Sequence, residues 1–294
     1  MHNDGLMTTE FRGLKLFNKG KVRDIYEADR YLLIVATDRI SAFDVIMPNP
    51  IPGKGKILTK MSAFWFRKMQ DIVENHLVST DPQDFPQECE PFKEKLKDRS
   101  MLVKKAKPLP VECVVRGYLS GSGWQDYLQS NSISGIKLPA GLQESTKLAE
   151  PLFTPSTKAP AGEHDMVITR KKMADIIGSE RTETIIEISI AVYSRAAKIA
   201  EEAGIIIADT KMEFGMIEER LILIDELLTP DSSRFWPMED YEAGRPQKSF
   251  DKQFLRDYLL SIEWHKKPPA PELPAEIIEK TREKYEEALN RFVA

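Results

Sequence analysis

Two cysteines in 294 residues, Cys89 and Cys113, are too few for a disulfide framework and have no metal-ligating spacing. Cys113 lies in an apolar run and reads as a small buried hydrophobe. Nowhere do eighteen apolar residues follow one another, so no transmembrane helix is expected. The first thirty residues carry no apolar stretch of the kind a secretory signal needs. These absences make a reduced, cytoplasmic setting the expectation. An excess of either charge is also missing, since 42 Lys and Arg against 46 Asp and Glu leave a net −4. That balance argues against nucleic acid as a partner. The common phosphate-binding motifs are incomplete. Gly20-Lys21, Gly53-Lys54 and Gly55-Lys56 lack the Ser or Thr that follows a P-loop lysine, and Gly121-Ser122-Gly123 does not extend to G-x-G-x-x-G.

What is there suits two domains with substantial cores, since 41% of the residues are hydrophobic. Residues 14–36 read as a small antiparallel sheet turning at Ala28-Asp29-Arg30, with Tyr31–Ala36 as a buried strand. A Pro/Gly link over 48–55 precedes a helix expected at Leu58–His76. Its stripe Met61, Phe64, Trp65 and Met69 reads as core. Strands are expected at Met101–Lys105 and Val111–Arg116, joined by a connection containing Pro108 and Pro110. Residues 131–168, rich in Gly, Pro, Ser and Thr, read as a long functional loop. Helices follow at about 169–177 and Glu180–Ala203, then at Asp251–Glu263 and Ala275–Phe292. This order lacks regular βαβα alternation, so the expected class is α+β, with mostly antiparallel sheets and flanking helices. A smaller β-rich lobe over 1–110 and a larger lobe over 111–294 would hold a nucleotide between them.

The chemistry concentrates late in the chain. Two Ile/Leu runs, Ile205–Ile207 and Leu221–Ile224, lead into Asp209, Lys211 and Glu213 and into Asp225 and Glu226. One acid at a strand end ordinarily faces water. Here the two-residue period puts Asp209, Lys211 and Glu213 on one face, leaving Ala208, Thr210, Met212 and Phe214 to pack. Such hard oxygens, beside substrate phosphates, suit Mg²⁺. Arg116, leaving a strand into Gly121-Ser122-Gly123, suggests an anion site, against a plain flexible connection. Asp231, Arg234 and Arg256 add a carboxylate and forked cations nearby, where surface salt bridges are the default reading. If ATP binds, the hairpin tip Gly20-Lys21-Val22-Arg23 must cradle it, although a solvated basic turn is equally compatible with those residues. His164 reads as a solvated loop histidine.

Several long segments in the right order resemble the SAICAR synthetase (phosphoribosylaminoimidazole-succinocarboxamide synthase) family over nearly the whole chain. They are 20–26, 36–44, 109–116 running into Gly121-Ser122, 207–215, 229–236 and 249–257. The resemblance implies a two-lobed fold related to ATP-grasp and kinase-like nucleotide binders. It implies the reaction ATP + CAIR + L-aspartate → SAICAR + ADP + phosphate, CAIR being carboxylated aminoimidazole ribonucleotide. Position by position, Gly20, Lys21, Val22 and Arg23 would cover the ATP phosphates, and Lys104 and Glu112 would lie near the adenosine. Glu213 and Asp225 would hold Mg²⁺, and Asp209 and Lys211 would serve catalysis. Arg116, Ser122, Asp231, Arg234 and Arg256 would surround CAIR. Asp38, Ser41 and the loop 151–165 would bind aspartate or CAIR. Ser120 departs from the Ala or Thr often found at its place, and the chain resembles the longer, monomeric form of the family, with a dimer left open. Another ATP-dependent carboxylate–amine ligase, or a nucleotide-binding module without catalysis, are the rival readings.

Overall fold

The computed structural model describes residues 5–158 and 165–293, and the candidate His164 lies outside them. Two antiparallel sheets organise the chain. The first runs in the order Leu16–Lys19, Arg23–Ala28, Tyr31–Ala36, Ser100–Lys104, Leu77–Ser79. Arg23–Ala28 alternates half-buried and buried side chains, as a strand with one face on the core should. The second sheet centres on Ile205–Ile217. Lys107–Tyr118 pairs with one edge of that strand and is followed outward by Lys147–Thr157. Its other edge carries Arg220–Ile224 at one end and Ser233–Pro237 at the other.

A backbone seam joins the sheets: Leu223 N–H donates to Glu74 O (2.9 Å) and His76 N–H to Leu223 O (3.0 Å). One hydrophobic cluster crosses the seam. Ile34, Met101 and Val103 of the first sheet share it with Val111, Cys113 and Phe214 of the second. Helix Lys54–Met69 contributes Met61, Trp65 and Met69 to it, and the long helix Ser179–Glu202 contributes Ile185, Val192 and Ala196.

Three sequence expectations shift. The first helix spans Lys54–Met69 rather than Leu58–His76. Gly53, at φ +81°, admits a left-handed turn directly before it, and the chain must be extended by Glu74–His76 to form the seam. Pro108 and Pro110 lie inside the strand Lys107–Tyr118, not in a connection. The neighbouring strand's pairing stops at Thr157↔Val111, so no ladder donor is required at either proline on that side. The region 131–168 contains the eleven-residue strand Lys147–Thr157, whose Phe153, Thr154 and Pro155 are buried in the second sheet. The helices at Arg170–Ile177, Gln253–Ser261 and Ala275–Val293 lie within a few residues of expectation.

Candidate active site

Register brings the charged face together. Asp209 sits opposite Arg116, Lys211 opposite Val114 and Glu213 opposite Glu112, so the three side chains line one face of the second sheet. Met212 and Phe214 are buried on the other, whereas Ala208, expected beside them, sits at a register shift and packs instead with Ile206, Tyr118 and Trp236. Arg116 uses its whole fork: Nε donates to Thr154 Oγ1 (3.1 Å), Nη1 to Asp209 Oδ2 (3.0 Å) and Nη2 to Ser122 Oγ (3.1 Å). Arg234 Nη1 donates to the same Asp209 oxygen. One carboxylate thus orients two guanidiniums into a cleft of about 190 Å³, whose walls also include Ser122, Lys211, Asp231 and Arg256. Gly121 makes this possible. A Cβ there would stand 2.1 Å from Arg234 Nη2, and its φ is +54°.

Beneath the cleft, Asp231 accepts from Lys54 Nζ (2.7 Å) and Tyr285 Oη (2.7 Å), and Lys252 Nζ lies 3.3 Å away. Burial alone would raise its pKa, but Lys252 and Lys54 outweigh burial and hold it below the ordinary carboxylate range. Asp251, which accepts from Phe235 N–H (3.2 Å) and Gln253 N–H (2.7 Å), is pushed up to about 6 by burial, only partly opposed by Arg234.

A second charged cluster is continuous with the cleft through Lys211. Lys211 Nζ donates to Glu112 (2.7 Å) and to Glu213 (2.8 Å), and Lys158 Nζ bonds the other Glu213 oxygen. Burial works against ionisation of Glu213, yet Lys211 and Lys158 bring its pKa down to about 2. Glu213 pairs with Ile224, the residue before Asp225, so the two carboxylates are neighbours across the strand pair. Asp225, at φ +69°, meets Arg23 of the first-sheet hairpin at 2.9 Å, and Glu226 meets the same guanidinium at 3.3 Å. Burial raises the Asp225 pKa, Arg23 opposes the rise, and Glu213 and Glu226 add to it.

No three His, Cys, Asp or Glu among the described residues form a self-sufficient metal cage. Mg²⁺ does not need one, because it takes one or two carboxylates and completes its shell with waters and phosphates. The hard-oxygen pair Glu213 and Asp225, each repelling the other's charge, fits that requirement.

The structure therefore gathers Arg116, Ser122, Asp209, Lys211, Asp231, Arg234 and Arg256 around one cleft. It sets Glu112, Glu213, Asp225 and Arg23 beside it. Gly20, Lys21 and Val22 form the hairpin tip preceding Arg23, where Lys21 Nζ pairs with Asp44. Lys104 lies at the seam, its N–H donating to His76 O (2.8 Å). Asp38 stands apart: it is 0% exposed, and its oxygens are taken by Leu6 N–H, Gly55 N–H and the Arg99 fork. Ser41 lies in a two-residue strand paired with Ile46.

Sequence reasoning missed the ion partners Lys54, Lys158 and Lys252 and the hydrogen-bonding hydroxyl of Tyr285. Lys54 stood in plain view in Gly53-Lys54-Gly55, dismissed as a failed phosphate loop. Tyr285 occupies a core position of an amphipathic helix, and no sequence signal marks its hydroxyl.

The chain has known relatives over nearly its whole length. The family described as SAICAR synthetase matches residues 16–271. The phosphoribosylaminoimidazole-succinocarboxamide synthase of Thermodesulfovibrio yellowstonii is 62% identical over 282 residues, covering 96% of each chain. That of Geobacter sulfurreducens is 60% identical, covering 98% of this chain and 97% of its own. Among solved structures, a SAICAR synthase from Saccharomyces cerevisiae complexed with SAICAR superposes with a TM-score of 0.88 at 45% identity, covering 98% of this chain and 97% of that one. A SAICAR synthetase solved with ADP shares the fold at a TM-score of 0.67 and 22% identity, covering 94% of this chain and 97% of its own.

Proposed function

The chain belongs to the SAICAR synthetase family, and from that premise we propose how its residues perform the ATP-dependent joining of CAIR and L-aspartate, a carbon–nitrogen ligation of purine biosynthesis. A carboxylate is a poor electrophile and needs activation before an amine can attack it. A CAIR carboxylate oxygen attacks the γ-phosphorus of ATP, the bond to the β–γ bridging oxygen breaks, and ADP leaves. The aspartate nitrogen then attacks the acyl carbon, the carbon–oxygen bond to phosphate breaks, inorganic phosphate departs, and the new amide sheds its proton to solvent.

Gly20, Lys21, Val22 and Arg23 in the lobe 1–110 cover the nucleotide phosphates, with Lys104 and Glu112 toward the adenosine. Glu213 and Asp225 in the lobe 111–294 would hold Mg²⁺, which neutralises charge on the transferring phosphoryl group. Burial disfavours the charged form of Lys211, but Glu213 and Glu112 overcome it and raise its pKa above that of an ordinary lysine. Lys211 therefore acts as a fixed cation and not as a base. Asp209 aims Arg116 and Arg234 at the phosphate or carboxylate of CAIR, joined by Ser122 and Arg256. The yeast relative's complex with SAICAR supports the product class.

No helix among the described residues is long and apolar enough to cross a membrane. Both thiols are free and buried, which suits a reducing cytoplasm. The same reading takes the chain as a monomer, which sedimentation would test.

One observation carries the reading. Lys211 lines the arginine cleft and bonds Glu213 at 2.8 Å, so substrate cleft and phosphoryl end meet in a single side chain. CAIR labelled with ¹⁸O in its carboxylate should pass one labelled oxygen to inorganic phosphate. Unlabelled phosphate from a productive turnover would remove the acyl phosphate.

A further inference from the structure

Three consecutive carbonyls at the tip of the first hairpin are held from one side by two residues of the next segment. Arg39 Nη2 donates to Gly20 O (3.0 Å) and Arg39 Nε to Lys21 O (2.9 Å). Thr37 binds Val22 O twice, through Oγ1 (2.7 Å) and through its N–H (3.0 Å). In a trans peptide the N–H points opposite to the C=O of the same plane. Pinning these three oxygens therefore turns the N–H groups of Lys21, Val22 and Arg23 away from Arg39 and Thr37. Among the described residues, the amides of Lys21 and Val22 have no acceptor, whereas the Gly20 N–H closes the turn on Arg23 O (2.8 Å). Successive amides aimed to one side make a concavity suited to phosphate oxygens.

Arg39 cannot itself touch a ligand, being 4% exposed. Its remaining donors go to Asp24 (2.6 and 3.3 Å) and to Met7 O (2.7 Å), and Thr9 Oγ1 bonds the same Asp24 (2.7 Å). The guanidinium is thus rigidly seated between the strand Arg23–Ala28 and the segment 5–11, with its free edge shaped to two hairpin carbonyls. A planar fork with fixed donors can hold two oxygens at once, and a lysine cannot.

We propose that Arg39 and Thr37 are positioning residues for a nucleoside triphosphate, acting through the hairpin carbonyls to preset the amides that receive its phosphates. The inference rests on the reading of the hairpin as the phosphate cover.

The test compares wild type with Thr37→Val and Arg39→Lys, using ADP with Mg²⁺ as one probe and CAIR as the other, each by titration calorimetry. Thr37→Val keeps the shape and the backbone bond but loses the hydroxyl's bond to Val22 O and the one it accepts from Arg39 N–H (3.3 Å), so the Kd for ADP should rise about fivefold or more. Arg39→Lys keeps the charge beside Asp24 but breaks the two-carbonyl grip, so ADP should weaken about tenfold or more. CAIR affinity should stay unchanged in both, a split that general loosening of the fold would not produce. Equal losses for ADP and CAIR, or unchanged ADP affinity in variants that melt like wild type, would overturn the proposal. Should Arg39→Lys fail to fold, Thr37→Val decides alone. Hydrogen exchange of wild-type residues 16–26 with saturating ADP separates the two layers. Missing protection there sinks the phosphate-cover reading and the proposal with it. Protection combined with unchanged variant affinities sinks only the positioning role.

Discussion

Glu213→Gln separates the charge of this side chain from its shape. Glu213 is 7% exposed and held between Lys211 and Lys158. Its pKa falls from the ordinary 4.5 to about 2 because the two lysines overcome its burial. At about 1.4 kcal/mol per tenfold change in proton affinity, that drop is worth ~3 kcal/mol of stability. The folded pKa lies below the unfolded one, so the contribution is complete above pH ~4.5 and disappears as pH falls toward ~2. Glutamine keeps the volume and the acceptor but never ionises. Urea unfolding should show the variant less stable than wild type by ~3 kcal/mol at pH 7 and by only ~1 kcal/mol at pH 3. The variant should still fold at neutral pH yet lose most of its turnover, since one electrostatic contact of this kind is worth roughly 3–4 kcal/mol in the barrier. A stability gap equal at both pH values, or none at pH 7, would refute the lysine-pairing account. Full turnover would remove Glu213 from the phosphoryl site.

Gly121→Ala should push Arg234 off Asp209, because the new Cβ would lie 2.1 Å from Nη2. The KM for CAIR should rise at least about tenfold, the scale of one charged hydrogen bond, with the KM for ATP unmoved in steady-state assays. Tyr285→Phe removes one of the bonds to Asp231 and should cost about 1 kcal/mol in denaturant unfolding. Asp251, raised to about 6 by burial, opposes folding once it ionises. Its contribution to stability should therefore decline as pH climbs from ~4 to ~6, and Asp251→Asn should flatten that part of the stability–pH curve.

The strands that carry the site were legible because period-two patterning survives wherever one face is buried. Asp209, Lys211 and Glu213 were placed on a common face from spacing alone, and the observed register agrees. The grouping of Arg116 with Asp209, 93 positions apart, was not available from spacing. It entered through likeness to a family. The strand Lys147–Thr157 was hidden by its composition. Its prolines and polar residues read as loop, and it is held by pairing with Lys107–Tyr118 that no local window contains. Lys54 and Lys252 escaped for a related reason. A buried lysine is recognisable only by the carboxylate that neutralises it, and theirs, Asp231, is distant from Lys54 in sequence. Asp38 lies in a recognisable segment, yet the scaffold contacts of its carboxylate, to Gly55 N–H and Arg99, have no local signal.

The backbone seam at Glu74–His76 and Leu223 has a mechanical consequence. Leu223 is two residues from Asp225, so the stitch between the sheets also anchors the carboxylate that meets Arg23. The sheets cannot swing apart there without dragging that acid along. The outer strand Leu16–Lys19, exposed along its length, lies outside that stitch.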